Sequence, residues 1–213
     1  MDLFHRIAPF YDRVLRFSDP TQLLTLLELE PGHRLLDVGG GTGRVTQTLV
    51  EHVRQPCIVD ASWGMLVEAR AKGLCACQGA AEGLPFPDGT FDRILIVDAF
   101  HHFCDWPQAV TELLRVLRPG GCIVVEEPDI RYGVVKLIAL AERLLLMRSR
   151  FYAPADLAQL FQAGGGRVTL YEGQGAVYWA VIKSANRQGE ALATQKNSIF
   201  TKCLVSSIMC VLF

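Results

Sequence analysis

Two carboxylates and a run of glycines are the residues best placed to do chemistry in this chain. Asp37 is followed at alternate positions by Gly39, Gly41 and Gly43, and a second acid, Asp60, stands about twenty residues beyond the loop. Glycines in such a turn let the backbone pass close to a ligand without a Cβ clash, and positive φ is open to them. A carboxylate offers two oxygens as hydrogen-bond acceptors. The plainer alternative is that both acids cap N–H groups at strand ends. A phosphate-cradling loop is excluded because neither its Lys-Ser/Thr pair nor its glycine interval is present here. The G-x-G-x-x-G dinucleotide fingerprint fails as well: counted from Gly39 its last position is Arg44, and counted from Gly41 it is Thr46.

A second group, Asp98, His101 and His102, follows an apolar run. A neutral imidazole there can take a proton, and it can equally pack or hydrogen-bond locally. Cys75 and Cys77 lie two residues apart on one strand face, and no second Cys/His pair stands at zinc spacing, so these thiols read as structural and no metal is expected. Trp63 and Trp106 read as packing residues or site walls. Arg131 and Tyr132 are candidates for touching a substrate.

The elements that must position these residues follow from apolar spacing. Residues 19 to 29 read as a helix, with Asp19 as cap, Pro20 in its first turn and Pro31-Gly32 after its end. Leu35 to Val38 is a short apolar strand running into the glycines, and Val45, Leu49 and Val53 then fall at helical spacing. Cys57 to Asp60 repeats the strand, Ser62 is a plausible cap, and Met65, Leu66 and Ala69 continue as a helix. A short strand near Leu74 to Cys77 precedes a loop with Pro85, Pro87 and Asp88-Gly89. Phe91 to Val97 is continuous enough to be a strand covered on both faces.

Asp105 and Pro107 open a helix carrying Val110, Leu113, Leu114 and Leu117, and Pro119-Gly120-Gly121 turns into the strand Cys122 to Val125. Residues 133 to 148 read as an unusually apolar helix that is buried in the core, lines a pocket or touches a membrane surface. A shorter helix at 154 to 162 stops at Gly164, Gly165 and Gly166. Arg167 to Tyr171 and Ala176 to Lys183 close the chain as a hairpin through Gly173 and Gly175. Alternating strands and helices favour a parallel sheet with right-handed crossovers.

At 213 residues the chain suits one core, taken as residues 1 to 185, with a weakly ordered tail at 186 to 213 whose apolar part is too short and interrupted to span a bilayer. A formal net charge of -1 removes the electrostatic footprint that nucleic acid or anionic membranes demand. The 7 cysteines form no secreted-domain framework, and the first residues hold no signal-type apolar segment, so a cytoplasmic protein is expected. Oligomeric state is not legible.

The glycine segment LLDVGGGTG resembles the first motif of class I S-adenosylmethionine-dependent methyltransferases, and further segments match in order. IVDAS is similar to the family's ribose-binding acid, AAEGLPFPDGTFD to its adenine-side loop, and LLRVLRPGGCIVVEEP to its fifth-strand region. FHRIAPFYDRV looks like the opening of ubiquinone/menaquinone-biosynthesis C-methyltransferases. The resemblance implies an α/β fold: a Rossmann-like, mostly parallel sheet of about seven strands, helices on both faces and a C-terminal antiparallel hairpin.

It implies S-adenosyl-L-methionine as cofactor, held by Asp37, Gly39, Gly41, Gly43, Asp60, Ala61, Ala81, Glu82 and Asp98. Asp37 would favour its ammonium end, with loop N–H groups meeting its carboxylate. Asp98 and His101 would stand as catalytic candidates, and a small, apolar, quinone-like molecule as the methyl acceptor. The family's usual acid beside the adenine amino group is replaced by Ala80. Two rival readings remain at this point: a non-catalytic cofactor-binding scaffold, and a nicotinamide-dependent oxidoreductase.

Overall fold

Seven strands lie in one sheet in the order β3-β2-β1-β4-β5-β7-β6, in a computed structural model that describes Ala8, Asp12 and residues 19–128, 153–172 and 176–184. The strands are β1 (Leu35–Val38), β2 (Cys57–Asp60), β3 (Cys75–Gln78), β4 (Phe91–Val97), β5 (Leu117–Pro128), β6 (Gly166–Glu172) and β7 (Ala176–Lys183). The first five run parallel, and β7 is antiparallel to both β5 and β6. The helices are α1 (Thr21–Leu27), α2 (Trp63–Ala71), α3 (Trp106–Val116) and α4 (Pro154–Ala163).

The apolar strands are buried because alternate side chains serve opposite faces. Leu36, Ile94, Ile96, Ile123 and Val125 pack with Val110 and Leu113 of α3 and Phe161 of α4. Their neighbours Leu35, Leu95, Val97 and Val124 pack on the other side with Leu23 and Leu27 of α1. Ile58 of β2 meets Leu66 and Ala69 of α2. Each such side chain contributes roughly 1.5–3 kcal/mol by leaving water, so both layers clamp the strands whose ends carry the acids.

Helix ends are satisfied by side chains both near and remote in sequence. Glu28 takes a left-handed φ of 45° at the end of α1, and the Arg93 guanidinium of β4 donates to the carbonyls of Leu27 and Glu28. Asp105 caps α3 by accepting from Gln108 N at 3.0 Å. Asp19 accepts from Thr21 N at 3.0 Å at the start of α1.

Two expectations need correction. The segment after the glycine loop is not a regular helix: it holds only a 3-10 turn at Thr46–Thr48, with i→i+3 bonds from Thr48 N to Val45 O and from Leu49 N to Thr46 O. Val45, Thr46, Thr48, Val50 and Val53 are β-branched and lose side-chain freedom in a helix. Val45, Leu49 and Val53 are nevertheless the buried residues, as their spacing suggests.

The strand expected from Cys122 begins earlier, at Leu117 opposite Phe91, and passes through an irregularity in register before Cys122 pairs with Arg93. Asp92 holds that bulge: its carboxylate accepts from Arg34 N at 2.7 Å and from Arg118 Nη1 at 2.5 Å. The hairpin pairing runs from Gly166 opposite Lys183 to Glu172 opposite Val177. The expected helix at 133 to 148, the Gly173 and Gly175 turn, Arg131, Tyr132 and the 186 to 213 tail lie outside the described residues. No helix among the described residues is long and apolar enough to cross a membrane.

Candidate active site

A cavity of about 460 Å³ opens at the carboxyl ends of β1, β2 and β4, where the chain order reverses between β1 and β4. Asp37 leaves β1 at its base, 2% exposed. Burial raises its carboxyl to about 6, while the hydrogen bond donated by the Thr46 hydroxyl pulls the other way. Gly39 follows at φ +72°, and a Cβ there would stand 2.5 Å from the Ala99 methyl, so only glycine lets the turn close against the loop after β4. Its N–H donates to Val59 O at 2.7 Å, binding the turn to β2.

Asp60 ends β2 on the facing wall. Its two oxygens accept from Gly41 N at 2.9 Å and from Ser62 N at 2.7 Å, which fixes the plane of the carboxylate. Each oxygen of such a group can accept a second bond, so the arrangement suits a vicinal diol. Ala61 beside it is held by Gln78 Nε2, which donates to its carbonyl at 3.0 Å. Ala80 and Ala81 line the next stretch of wall. Glu82, also on the wall, accepts from the N–H groups of Cys104 at 2.6 Å and Asp105 at 3.1 Å, so it braces this loop against the start of α3.

The far end of the cavity is built by the residues after β4. Asp98 has a left-handed φ of 52° and donates its N–H to Glu126 O at 3.0 Å. Arg44 Nη2 donates to Asp98 Oδ2 at 2.8 Å. Burial raises the Asp98 carboxyl above the ordinary carboxylate range, the Glu127 charge adds to the rise, and Arg44 opposes it. Glu126 is pushed up to about 7, first by burial and then by Asp98.

Glu127 accepts from Ala99 N at 3.0 Å and Phe100 N at 2.7 Å through one oxygen, and its other oxygen bonds His101 Nδ1. That carboxylate therefore sets the path of the whole 98–102 turn.

The structure sorts the sequence candidates. Asp37, Gly39, Gly41, Asp60, Ala61, Ala81, Glu82 and Asp98 all border the cavity. Gly43 does not: it packs under the loop, where a Cβ would lie 2.3 Å from Leu74 Cδ1 and 2.9 Å from Ile58 Cδ1. His101 is buried beneath the turn, and its neighbours His102 and Phe103 are the side chains on the wall. Trp106 is buried with its indole N–H on Phe103 O at 3.1 Å, and Trp63 is exposed under the Arg70 guanidinium. Cys75 packs against Cys57 with 3.9 Å between sulfurs.

Two residues that sequence reasoning passed over matter here. Arg44 appeared only as the position where a fingerprint glycine was missing, yet its side chain borders the cavity. Glu127 carried a signal that can be read, a carboxylate closing an otherwise apolar strand, but its partners are remote in sequence.

A parallel sheet with a glycine turn at the switch point, an acid at the next strand end and no phosphate-binding loop defines a nucleoside-binding α/β protein that dispenses with a pyrophosphate site. The chain matches the family model described as "Methyltransferase domain" over residues 36–125. It is 38% identical over 153 residues to the demethylmenaquinone methyltransferase of Thermus thermophilus, spanning 62% of this chain and 69% of that one. The demethylmenaquinone methyltransferase of Mycobacterium marinum matches at 29% over 211 residues, 88% of this chain and 90% of the relative. Among solved structures, a SAM-dependent methyltransferase of Thermotoga maritima superposes with a TM-score of 0.70 at 25% identity, over 85% of this chain and 98% of that one.

The chain belongs to the class I S-adenosylmethionine-dependent methyltransferases. It is an enzyme using S-adenosylmethionine, and the scaffold and nicotinamide alternatives find no support.

The residues present fit that cofactor. It bears a sulfonium, an ammonium and one carboxylate, and the wall offers three aspartates and one guanidinium among its described residues. The bound cofactor supplies a methyl group already activated on sulfur. The protein's share is to orient it, to hold an acceptor in line and to exclude water.

Proposed function

We propose that this enzyme methylates a small, apolar, quinone-like acceptor, on a ring carbon, at the Asp98 end of the cavity. The observation that carries the reading is the composition of that end: Val97, Ala99 and Phe103 make an apolar wall, against which stand Asp98, paired with Arg44, and His102. A flat aromatic ring is favoured by such a wall, and the carboxylate or imidazole is suited to take a proton from a ring hydroxyl or from the ring carbon after methyl transfer. The names of the relatives from Thermus thermophilus and Mycobacterium marinum support the same acceptor class.

In this reading Asp60 and Ala61 hold the nucleoside sugar, Ala81 the base and Asp37 the ammonium, with Asp98 the catalytic candidate. His101 acts through its bond to Glu127 as a positioning residue. Such an enzyme works in the cytoplasm on an acceptor presented as a small molecule.

The test is a labelled-methyl assay on the full chain with a reduced demethylnaphthoquinone carrying a short isoprenoid tail, set beside a primary amine of similar size. Product mass and fragmentation should place the label on the quinol ring carbon. Label on the amine, or on the quinol oxygen, overturns the acceptor assignment.

A further inference from the structure

The amino-acid end of the cofactor needs a partner for its carboxylate, and three N–H groups of the glycine loop are already engaged. Gly39 N–H is already given to Val59 O at 2.7 Å, Gly41 N–H to Asp60 Oδ2 at 2.9 Å, and Gly43 N–H to Gly40 O at 2.9 Å. These bonds hold the turn together, so giving them up to a ligand would loosen the cavity wall itself. The three aspartates on the wall repel a carboxylate as strongly as they attract an ammonium.

Arg44 is the one Lys or Arg among the described residues of the wall. Its side chain is only 13% exposed, so a charge pair there is weakly screened by water. The contact with Asp98 at 2.8 Å holds the guanidinium at the cavity edge. That edge lies between the glycine turn, where the amino-acid end would sit, and the loop after β4.

We propose that Arg44 is the side chain that binds the cofactor's carboxylate, and so selects ligands that carry the complete amino-acid end. The consequence is a division of labour on the wall. Asp60 grips the sugar, Asp37 the ammonium and Arg44 the carboxylate, and Asp98 keeps the guanidinium aimed. The inference rests on the cofactor assignment and is independent of the acceptor.

Ligand truncation separates this role from a structural one. Titration calorimetry on the full chain would compare S-adenosylhomocysteine, its decarboxylated analogue S-adenosyl-3-thiopropylamine, and 5′-methylthioadenosine. Wild-type protein should bind the decarboxylated analogue about 10- to 100-fold more weakly than S-adenosylhomocysteine, the ratio expected for a charge-assisted pair. Arg44→Gln should lower S-adenosylhomocysteine affinity by the same ratio and leave both truncated ligands within about twofold. Arg44→Lys should recover part of the loss, since it restores the charge without the fork.

Equal binding of S-adenosylhomocysteine and the decarboxylated analogue by wild-type protein overturns the proposal even if no variant folds. Equal losses for all three ligands in Arg44→Gln also overturn it, by showing a structural role. Failure of all three to bind wild-type protein would strike the cofactor assignment itself, and is distinct from either result.

Discussion

Replacing Asp37 by Asn should make the folded protein more stable at neutral pH while weakening its grip on the cofactor. Burial raises this carboxyl from 3.8 to about 6. A proton is therefore held more tightly in the folded state than in the unfolded chain, and stability falls as pH climbs through that interval. The penalty is absent below about pH 4 and complete above about pH 6, where it amounts to about 3 kcal/mol. Asn keeps an oxygen to accept the Thr46 hydroxyl and carries no charge to desolvate.

Urea denaturation of both proteins between pH 4 and pH 8 isolates the effect, because other buried carboxyls cancel in the difference. The two should coincide near pH 4 and diverge by a few kcal/mol at pH 7, with the variant the more stable. The same variant should bind S-adenosylhomocysteine at least about tenfold more weakly at pH 7. A wild-type protein that equals or exceeds the variant in stability at pH 7 would refute the assignment of Asp37 as a charge held against its environment.

Two further substitutions test the surroundings of the site. Gly43→Ala should destabilise the fold by about 1–3 kcal/mol in urea, given φ +73° and the Leu74 contact, while the affinity of the folded fraction for S-adenosylhomocysteine stays within about twofold. A large loss of affinity would return Gly43 to the binding surface. Glu127→Gln should lower kcat about tenfold with little change in the cofactor KM, because it loosens the 98–102 turn and not the nucleoside wall. An unchanged kcat would show that the turn holds its path without that carboxylate.

The parts of the molecule that were legible in the sequence are those dictated by local rules. Leu35–Val38 is legible as a short apolar strand, and Phe91–Val97 as a strand covered on both faces because its apolar run is continuous. The start of α3 was written in Asp105 and Pro107. Asp37 and Asp60 were legible because a strand end fixes where a side chain emerges.

What escaped depends on contacts distant in the chain. The segment after the glycine loop keeps helical burial without a helix, since the sheet selects its apolar face while β-branched residues resist the regular backbone. Gly43 resembles its loop neighbours in sequence, and the approach of Ile58 and of Leu74, thirty-one residues away, shows that it serves packing. Arg44 and Glu127 are held by partners at Asp98 and Ala99 that no local window contains.

One tie outside the sheet links the opening of the chain to the ligand wall. Asp12 accepts from the Thr42 hydroxyl and from Lys72 Nζ, and the same ammonium donates to Thr42 O at 2.8 Å. Thr42 sits inside the glycine turn, so Asp12, thirty residues upstream, is bonded directly to that turn. Thermodynamic reciprocity then applies: whatever free energy occupancy adds to the docking of Asp12, docking of Asp12 returns to occupancy. Any coupling between Asp12 and the ligand wall therefore acts with equal strength in both directions.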